Sequence, residues 1–225
     1  MPLEKLSESN QNYLKAVYSL GEWSSEPVTA SAISAKVGVK LSTTSDAIRK
    51  LAAQGLLHHE PYGAVTLTKS GRAHAISMVR RHRLIETFLV DVLHYRWDQV
   101  HDEAEVLEHA VSDLMIERLD ALLQEPARDP HGDPIPRSDG SIKMPKAMPL
   151  SDVSPGSEVT VERVSDDDPG LLQYLADHDI QYGTRLQILP PAPYSDAITA
   201  VATDPQNPLN IGHSAAKSVW VSISQ

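Results

Sequence analysis

The sequence predicts a mainly α protein with a small amount of β structure, and three observations predict it. The N-terminal third shows three short apolar-periodic segments closed by turn signals and followed by a hairpin pattern. Two longer helical patterns follow. A proline-rich stretch then leads into residues 151–225, where β-forming residues alternate between turns.

From Ser7 to about Trp23, Leu14, Val17 and Tyr18 recur at helical spacing, with Ser7 or Ser9 placed to cap the start. Pro27 breaks the chain. Thr29 suits an N-cap, Ala32, Ile33 and Val37 give a short second helix, and Gly38 closes it. Thr43 and Asp46 form a capping-box-like pair expected to open a third helix, with Ala47, Ile48 and Leu51 inward and Gly55 at its end. Leu56 to His59 and Val65 to Thr68 read as strands joined by a turn at Pro61-Tyr62-Gly63. Helix, turn, helix and hairpin is the winged-helix order. Thr68 caps a fourth helix running to about Leu93. A fifth is expected to run unbroken from about Asp98 to Leu123, with Val106, Leu107, Val111, Leu114 and Leu119 mostly in stripe register. This pair has the character of an oligomerisation unit. Pro126 to Leu150 holds six prolines, two glycines and no apolar periodicity, which predicts a linker. Beyond it, Glu158 to Val164, Arg185 to Leu189, Ala197 to Ala202 and Ser218 to Ile223 predict the strands of a small β-barrel or sandwich, and Leu171 to Ala176 a short helical turn.

The net charge of −10 is polarised along the chain: residues 1–83 carry +5, residues 84–150 carry −8 and residues 151–225 carry −7. A basic first third can meet phosphates while the acidic remainder is available to cations. The absence of cysteine excludes disulfides, thiolate zinc sites, iron–sulfur ligation and cysteine nucleophiles. No segment approaches a membrane span, and the opening MPLEKLSESN has acids where a signal peptide is apolar, so a cytoplasmic protein is expected.

A helix entering the major groove needs small polar or basic side chains on its exposed N-terminal turns. Lys40, Ser42, Thr43, Ser45 and Asp46 occupy that end of the third helix, and Arg49 and Lys50 continue the exposed side. Asp46 can accept from cytosine N4 or merely cap the helix. An ordinary solvated helix would show the same residues, but the hairpin with Lys69 and Arg72 just behind it favours double-stranded DNA.

In the fifth helix His101, Glu105, Glu108 and His109 fall at i, i+4, i+7 and i+8, on one face. His82 and Glu86 share a face of the fourth. Imidazole and carboxylate suit Mn²⁺, Zn²⁺, Fe²⁺ or Co²⁺, and the absence of thiolate favours a harder ion, with Mn²⁺ first.

The segments RRHRLIETFL and VHDEAEVLEHAVSD resemble the metal-binding and dimerisation helices of the diphtheria toxin repressor family of iron- and manganese-dependent regulators. NYLKAVYSL, the helix-turn-helix and VTLTKSGR follow in the family's order, so the resemblance spans essentially the whole chain. It implies a winged helix-turn-helix DNA-binding domain over 1–71, a helical metal-binding and dimerisation domain over 72–125, a linker over 126–150 and an SH3-like domain over 151–225. It implies an ancillary site at His82, Glu86 and His101, completed from the SH3-like domain by Asp166 or Asp168. It implies a primary site at Glu108 and His109 with Glu105 and Asn12. Iron-responsive members have sulfur at the last two positions, and oxygen here favours Mn²⁺. Lys15 departs from the shorter manganese regulators, which have a carboxylate there, and so favours separated sites over their closely spaced metal pair. The implied function is a metal-activated homodimeric repressor of palindromic operators of metal-homeostasis genes. An iron- or zinc-responsive regulator of the same type, or a constitutive winged-helix protein with structural metal, are the alternatives. An enzyme is not expected, because a carboxylate-bridged di-metal oxidase needs two Glu-x-x-His motifs and the chain has none.

Overall fold

The computed structural model describes residues 6–60, 63–202 and 208–223. They form two compact units, one of residues up to Arg81 together with Pro136–Ser141, the other of His82–Ile135 and the chain from Ile142 onward.

In the first unit, helices α1 (Glu8–Glu22), α2 (Ala30–Val37) and α3 (Leu41–Ala53) precede a hairpin of β1 (Leu57–His59) and β2 (Val65–Leu67). Ser7 Oγ accepts from the Asn10 amide and Thr29 Oγ1 from the Ala32 amide, so both expected N-caps form. The third cap differs. Helix α3 begins at Leu41 behind Lys40, with no side-chain cap, so Thr43 and Asp46 lie inside the helix rather than at its start. Leu14, Ile33, Ile48 and Leu51 are fully buried and close this small core. The hairpin pairs Leu57 with Leu67 and His59 with Val65, while Pro61 and Tyr62 of the expected turn lie outside the described residues.

Helix α4 (Lys69–Asp91) follows at once. Thr68 Oγ1 donates to the Gly55 carbonyl at 2.8 Å and accepts from the Gly71 amide at 3.0 Å, tying the helix start to the strand start. Gly71 is required there, since a Cβ would stand 1.9 Å from the Leu56 carbonyl oxygen. The helix continues into the second unit as Leu84, Ile85 and Leu89, which pack with Val100 and Ala104 of α5 (Val100–Ala110), Ile116 and Leu119 of α6 (Asp113–Leu122), and Ile135.

The unbroken fifth helix expected from the sequence is therefore two helices. Val111 is extended, and Ser112 caps α6 by accepting from the Met115 amide at 3.2 Å. Val106 on α5 and Leu114 on α6 are exposed, at 70% and 61%. Nor is the proline-rich stretch uniformly solvated: Asp129, His131, Asp133 and Ile135 are buried.

A six-stranded antiparallel sheet completes the second unit. It contains β3 (Met148–Pro149), β4 (Glu158–Val164), β5 (Arg185–Ile188), β6 (Ala197–Ala202), β7 (Pro208–Gly212) and β8 (Val219–Ile223), in the order β3-β8-β4-β5-β6-β7. Alternate residues Val159 and Val161 on β4, Leu186 and Ile188 on β5, and Leu209 and Ile211 on β7 point into its core. Leu172 and Leu175 of α7 (Pro169–Ala176) cover it, and short α8 (His213–Ala216) adds Ala216.

Candidate metal centre

The ligand candidates of the second unit stand on α4, α5, the 129–133 loop and the residues just after β4. His82 and Glu86 are one turn apart on α4, with His82 Nε2 at 3.1 Å from Glu86 Oε1. His101 reaches the same carboxylate from α5, with Nδ1 at 3.7 Å from Glu86 Oε1 and 2.7 Å from Asp166 Oδ2, while Nε2 lies 3.7 Å from Glu105 Oε1. The expected set His82, Glu86 and His101 therefore converges, and Asp166 joins it. Ligand atoms of these four residues lie within 4.8 Å of one another.

Asp168 does not join. Its Oδ1 accepts from the Gly170 and Leu171 amides and caps α7 at Pro169. An Asp directly before a proline at a helix start is an N-cap signal, so the choice between the two aspartates was readable.

Glu105, Glu108 and His109 share one face of α5 as expected. The ring of His82 links this group to the first, because its Nδ1 lies 2.6 Å from Glu108 Oε2, and His109 Nε2 stands 3.6 Å from Glu108 Oε1. His82, Glu105 and Glu108 form a second possible cation group. Asn12 belongs to α1 in the first unit, and its buried Oδ1 has no hydrogen-bond partner.

A third group was missed by sequence reasoning. Glu86, Asp129 and His131, all buried, bring ligand atoms within 4.8 Å of one another. His131 Nε2 donates to the Trp97 carbonyl at 2.8 Å, which in the neutral ring leaves the Nδ1 lone pair facing Glu86 Oε2 at 3.8 Å, too far for a hydrogen bond. That is how metal-binding imidazoles are held: one nitrogen anchored to a carbonyl, the other open to the ion. Arg83, buried on α4, holds the loop by donating to the Pro134 carbonyl at 2.8 Å and to Asp133 Oδ1 at 3.2 Å. Arg163 on β4 donates to the other Asp133 oxygen at 2.8 Å. Two acids flanking a histidine inside a proline-rich stretch were the available signal.

The electrostatics fit a cation. Burial alone would raise the Glu86 carboxyl, but the charges of His82 and His131 outweigh it and hold it well below the usual range. Burial likewise opposes charge on His101, yet its bond to Asp166 and the Glu86 carboxylate raise it to about 10. His131 is raised to about 10 by Glu86 against its own burial. Asp129 is pushed up to about 8 by burial and by Asp133 and Glu86. Excess carboxylate here captures protons on imidazole, and a divalent ion satisfies the same field.

The sequence and the solved structures of known proteins decide the family. A family model described as iron dependent repressor, N-terminal DNA binding domain, matches residues 5–65, and one described as iron dependent repressor, metal binding and dimerisation domain, matches residues 68–137. A FeoA domain model matches residues 148–223. The iron-dependent repressor IdeR of Mycobacterium leprae is 33% identical over 178 residues, covering 73% of this chain and 77% of that protein. The chain belongs to the iron-dependent, or diphtheria toxin, repressor family. Among solved structures, a manganese-dependent transcriptional repressor in complex with manganese superposes on this repressor with a TM-score of 0.91 at 48% identity, covering 96% of this chain and all of the other. ScaR with bound Zn²⁺ superposes with a TM-score of 0.79 at 32% identity, covering 95% of this chain and 98% of the other. The exposed residues Lys40, Ser42, Thr43, Asp46, Arg49 and Lys50, with half-buried Ser45, stand on the repressor's α3 or at its cap. Asp46 is paired with Arg49 there, and Ser45 Oγ donates back to the Leu41 carbonyl. No helix among the described residues is long and apolar enough to cross a membrane.

Proposed function

We propose that this chain is a manganese-activated homodimeric repressor that binds palindromic operators of metal-homeostasis genes in the cytoplasm. The observation that carries the reading is the donor set: buried and half-buried imidazoles and carboxylates converge from four segments of a chain with no cysteine. Such donors favour a harder divalent ion over one that seeks sulfur. The manganese-bound relative of high identity supports the same choice.

The proposed ligands are His82, Glu86, His101 and Asp166 at one position, Glu105, Glu108 and His109 at a second, and Asp129 and His131 with the far oxygen of Glu86 at a third. Asn12 is proposed as an oxygen donor on its unpartnered buried Oδ1 alone. A bound divalent ion supplies the positive charge that these carboxylates otherwise draw from protonated imidazoles. Glu86 holds the array together by facing different imidazoles with its two oxygens, and His82 does so by facing a different carboxylate with each nitrogen. Helix α4 carries His82 and Glu86 on the same continuous element whose first turns belong to the DNA-binding unit.

Exposed apolar side chains on α5 and α6, Val106, Leu114 and Leu122 among them, are proposed to face a second copy. Lys40, Ser42, Thr43, Ser45, Asp46, Arg49 and Lys50 are proposed to meet the operator, one recognition helix per half-site. The proposed domain limits are 1–71, 72–125 and 151–225, with residues 126–150 connecting the last two.

Operator binding measured against free Mn²⁺, Fe²⁺, Co²⁺ and Zn²⁺ at fixed salt tests the reading. Affinity should rise with Mn²⁺, and Glu108→Ala should abolish that response while leaving the dimer intact. Equal affinity with chelator and with excess Mn²⁺ would overturn the sensor role. A response confined to Fe²⁺ or Zn²⁺ would overturn the choice of metal.

A further inference from the structure

The first unit contains a cavity of about 310 Å³ apart from every metal ligand proposed above. One wall is a stripe of α4: Lys69, Arg72, Ala73, Ile76, Ser77 and Arg80 fall at i, i+3, i+4, i+7, i+8 and i+11, on a single face. The other wall is the turn Arg137–Gly140. That turn is internally fixed, with the Arg137 amide donating to the Ser141 carbonyl and the Gly140 amide to the Arg137 carbonyl, each at 2.9 Å. Arg80 Nη1 donates to the Pro136 carbonyl at 2.7 Å and fastens the turn to the helix.

Four cationic side chains therefore line the space against one acid, Asp139, in a protein whose net charge is −10. Composition does not explain this. The chain has no Asp or Glu between Glu60 and Glu86, so α4 offers its cations no carboxylate at i±3 or i±4 from within this stretch. Asp139 is exposed on its own loop; its Oδ1 accepts from the Ser141 amide at 2.8 Å, and hydrogen bonding to Ser141, with the charge of Arg137, holds its carboxyl below the usual range, so it offsets part of the positive charge. Between the cations, Ala73 and buried Ile76 give an apolar floor, and Ser77 adds a hydroxyl.

We propose that this cavity binds a phosphorylated small molecule, its phosphate held by Lys69, Arg72, Arg80 and Arg137 and its organic part resting on Ala73 and Ile76. Guanidinium groups pair with phosphate through parallel N–H donors, and several around one cavity favour a doubly charged monoester over a simple monovalent anion. The volume lies at the small end of ligand sites, which begin at about 300 Å³. A DNA backbone is the other source of phosphate near a DNA-binding unit. An open cleft between a helix and a turn, with Ala73 and Ile76 as an apolar floor, suits a small molecule better, because an extended duplex backbone gains nothing from the floor.

Calorimetric titration of the full-length protein with adenosine 5′-monophosphate and with inorganic phosphate, at low ionic strength and without added divalent ion, tests this. Both should bind, the nucleotide more tightly because it alone meets the floor. Lys69→Gln combined with Arg137→Gln should weaken nucleotide binding by about tenfold or more. Ala73→Glu, at an exposed helical position, should abolish it by placing a carboxylate in the cavity. Unchanged thermal midpoints will show that these variants fold. Absence of nucleotide binding to the parent protein, equal affinity for nucleotide and phosphate, or unaltered binding in both variants would overturn the proposal. So would variants that keep nucleotide affinity and lose operator affinity, because the cations would then serve the DNA backbone.

Discussion

His131 uses its two ring nitrogens differently: Nε2 is anchored to the Trp97 carbonyl, whereas Nδ1 looks across 3.8 Å to Glu86. His101 faces the other oxygen of the same carboxylate. Both imidazoles are raised to about 10, so both hold protons at neutral pH in the metal-free protein, and Asp129, raised to about 8, largely holds its own. Coordination needs lone pairs, so metal binding at pH 7 should release protons, and affinity should rise with pH through neutrality toward about 10. The linkage to stability has a matching sign. Groups raised in the folded state stabilise it fully below their unfolded values, 6.5 for the histidines, and that contribution is lost as pH rises through about 10. The metal-free protein should therefore lose stability on the alkaline side. Titrating Mn²⁺ in buffers of different ionisation enthalpy counts the protons, and His131→Gln should reduce the count. A proton release of zero would remove His101 and His131 from the ligand set.

At the level of elements, helix punctuation decides what the sequence reveals. Ser7, Thr29, Gly38 and Gly55 mark helix ends that local chemistry dictates, and all four function as ends in the structure. The α5–α6 break was hidden because the apolar spacing continues through Val111 and Leu114, although Ser112-Asp113 is itself a helix-start signal. Substitution Ser112→Ala should cost about 1 kcal/mol, the typical value of a lost N-cap, read as a lower urea midpoint with an unchanged slope. Ligand spacing on α4 and α5 was legible for a different reason, since i, i+4 places side chains together wherever a helix forms. The 129–133 loop was not, because its position depends on Arg83 and Arg163 gripping Asp133 across 50 and 30 residues of sequence. No local pattern encodes that.

For the whole molecule, the charge polarity and the shared helix make a thermodynamic statement. The segment 1–83 carries +5 while the remainder carries −15, so phosphates and divalent cations are attracted to different parts of one chain. If Mn²⁺ raises operator affinity by some factor, the operator must raise Mn²⁺ affinity by the same factor, with a coupling of about 1–3 kcal/mol, or roughly 5- to 150-fold. Both factors must be measured at one salt concentration, because each neutralised phosphate makes DNA affinity fall steeply with salt. Glu86→Gln provides the control. Removing the carboxylate that faces three imidazoles should weaken Mn²⁺ binding and shrink both factors together, while leaving metal-free affinity for DNA unchanged. A variant that lost operator affinity equally with and without Mn²⁺ would show that Glu86 supports the fold of α4 rather than the coupling.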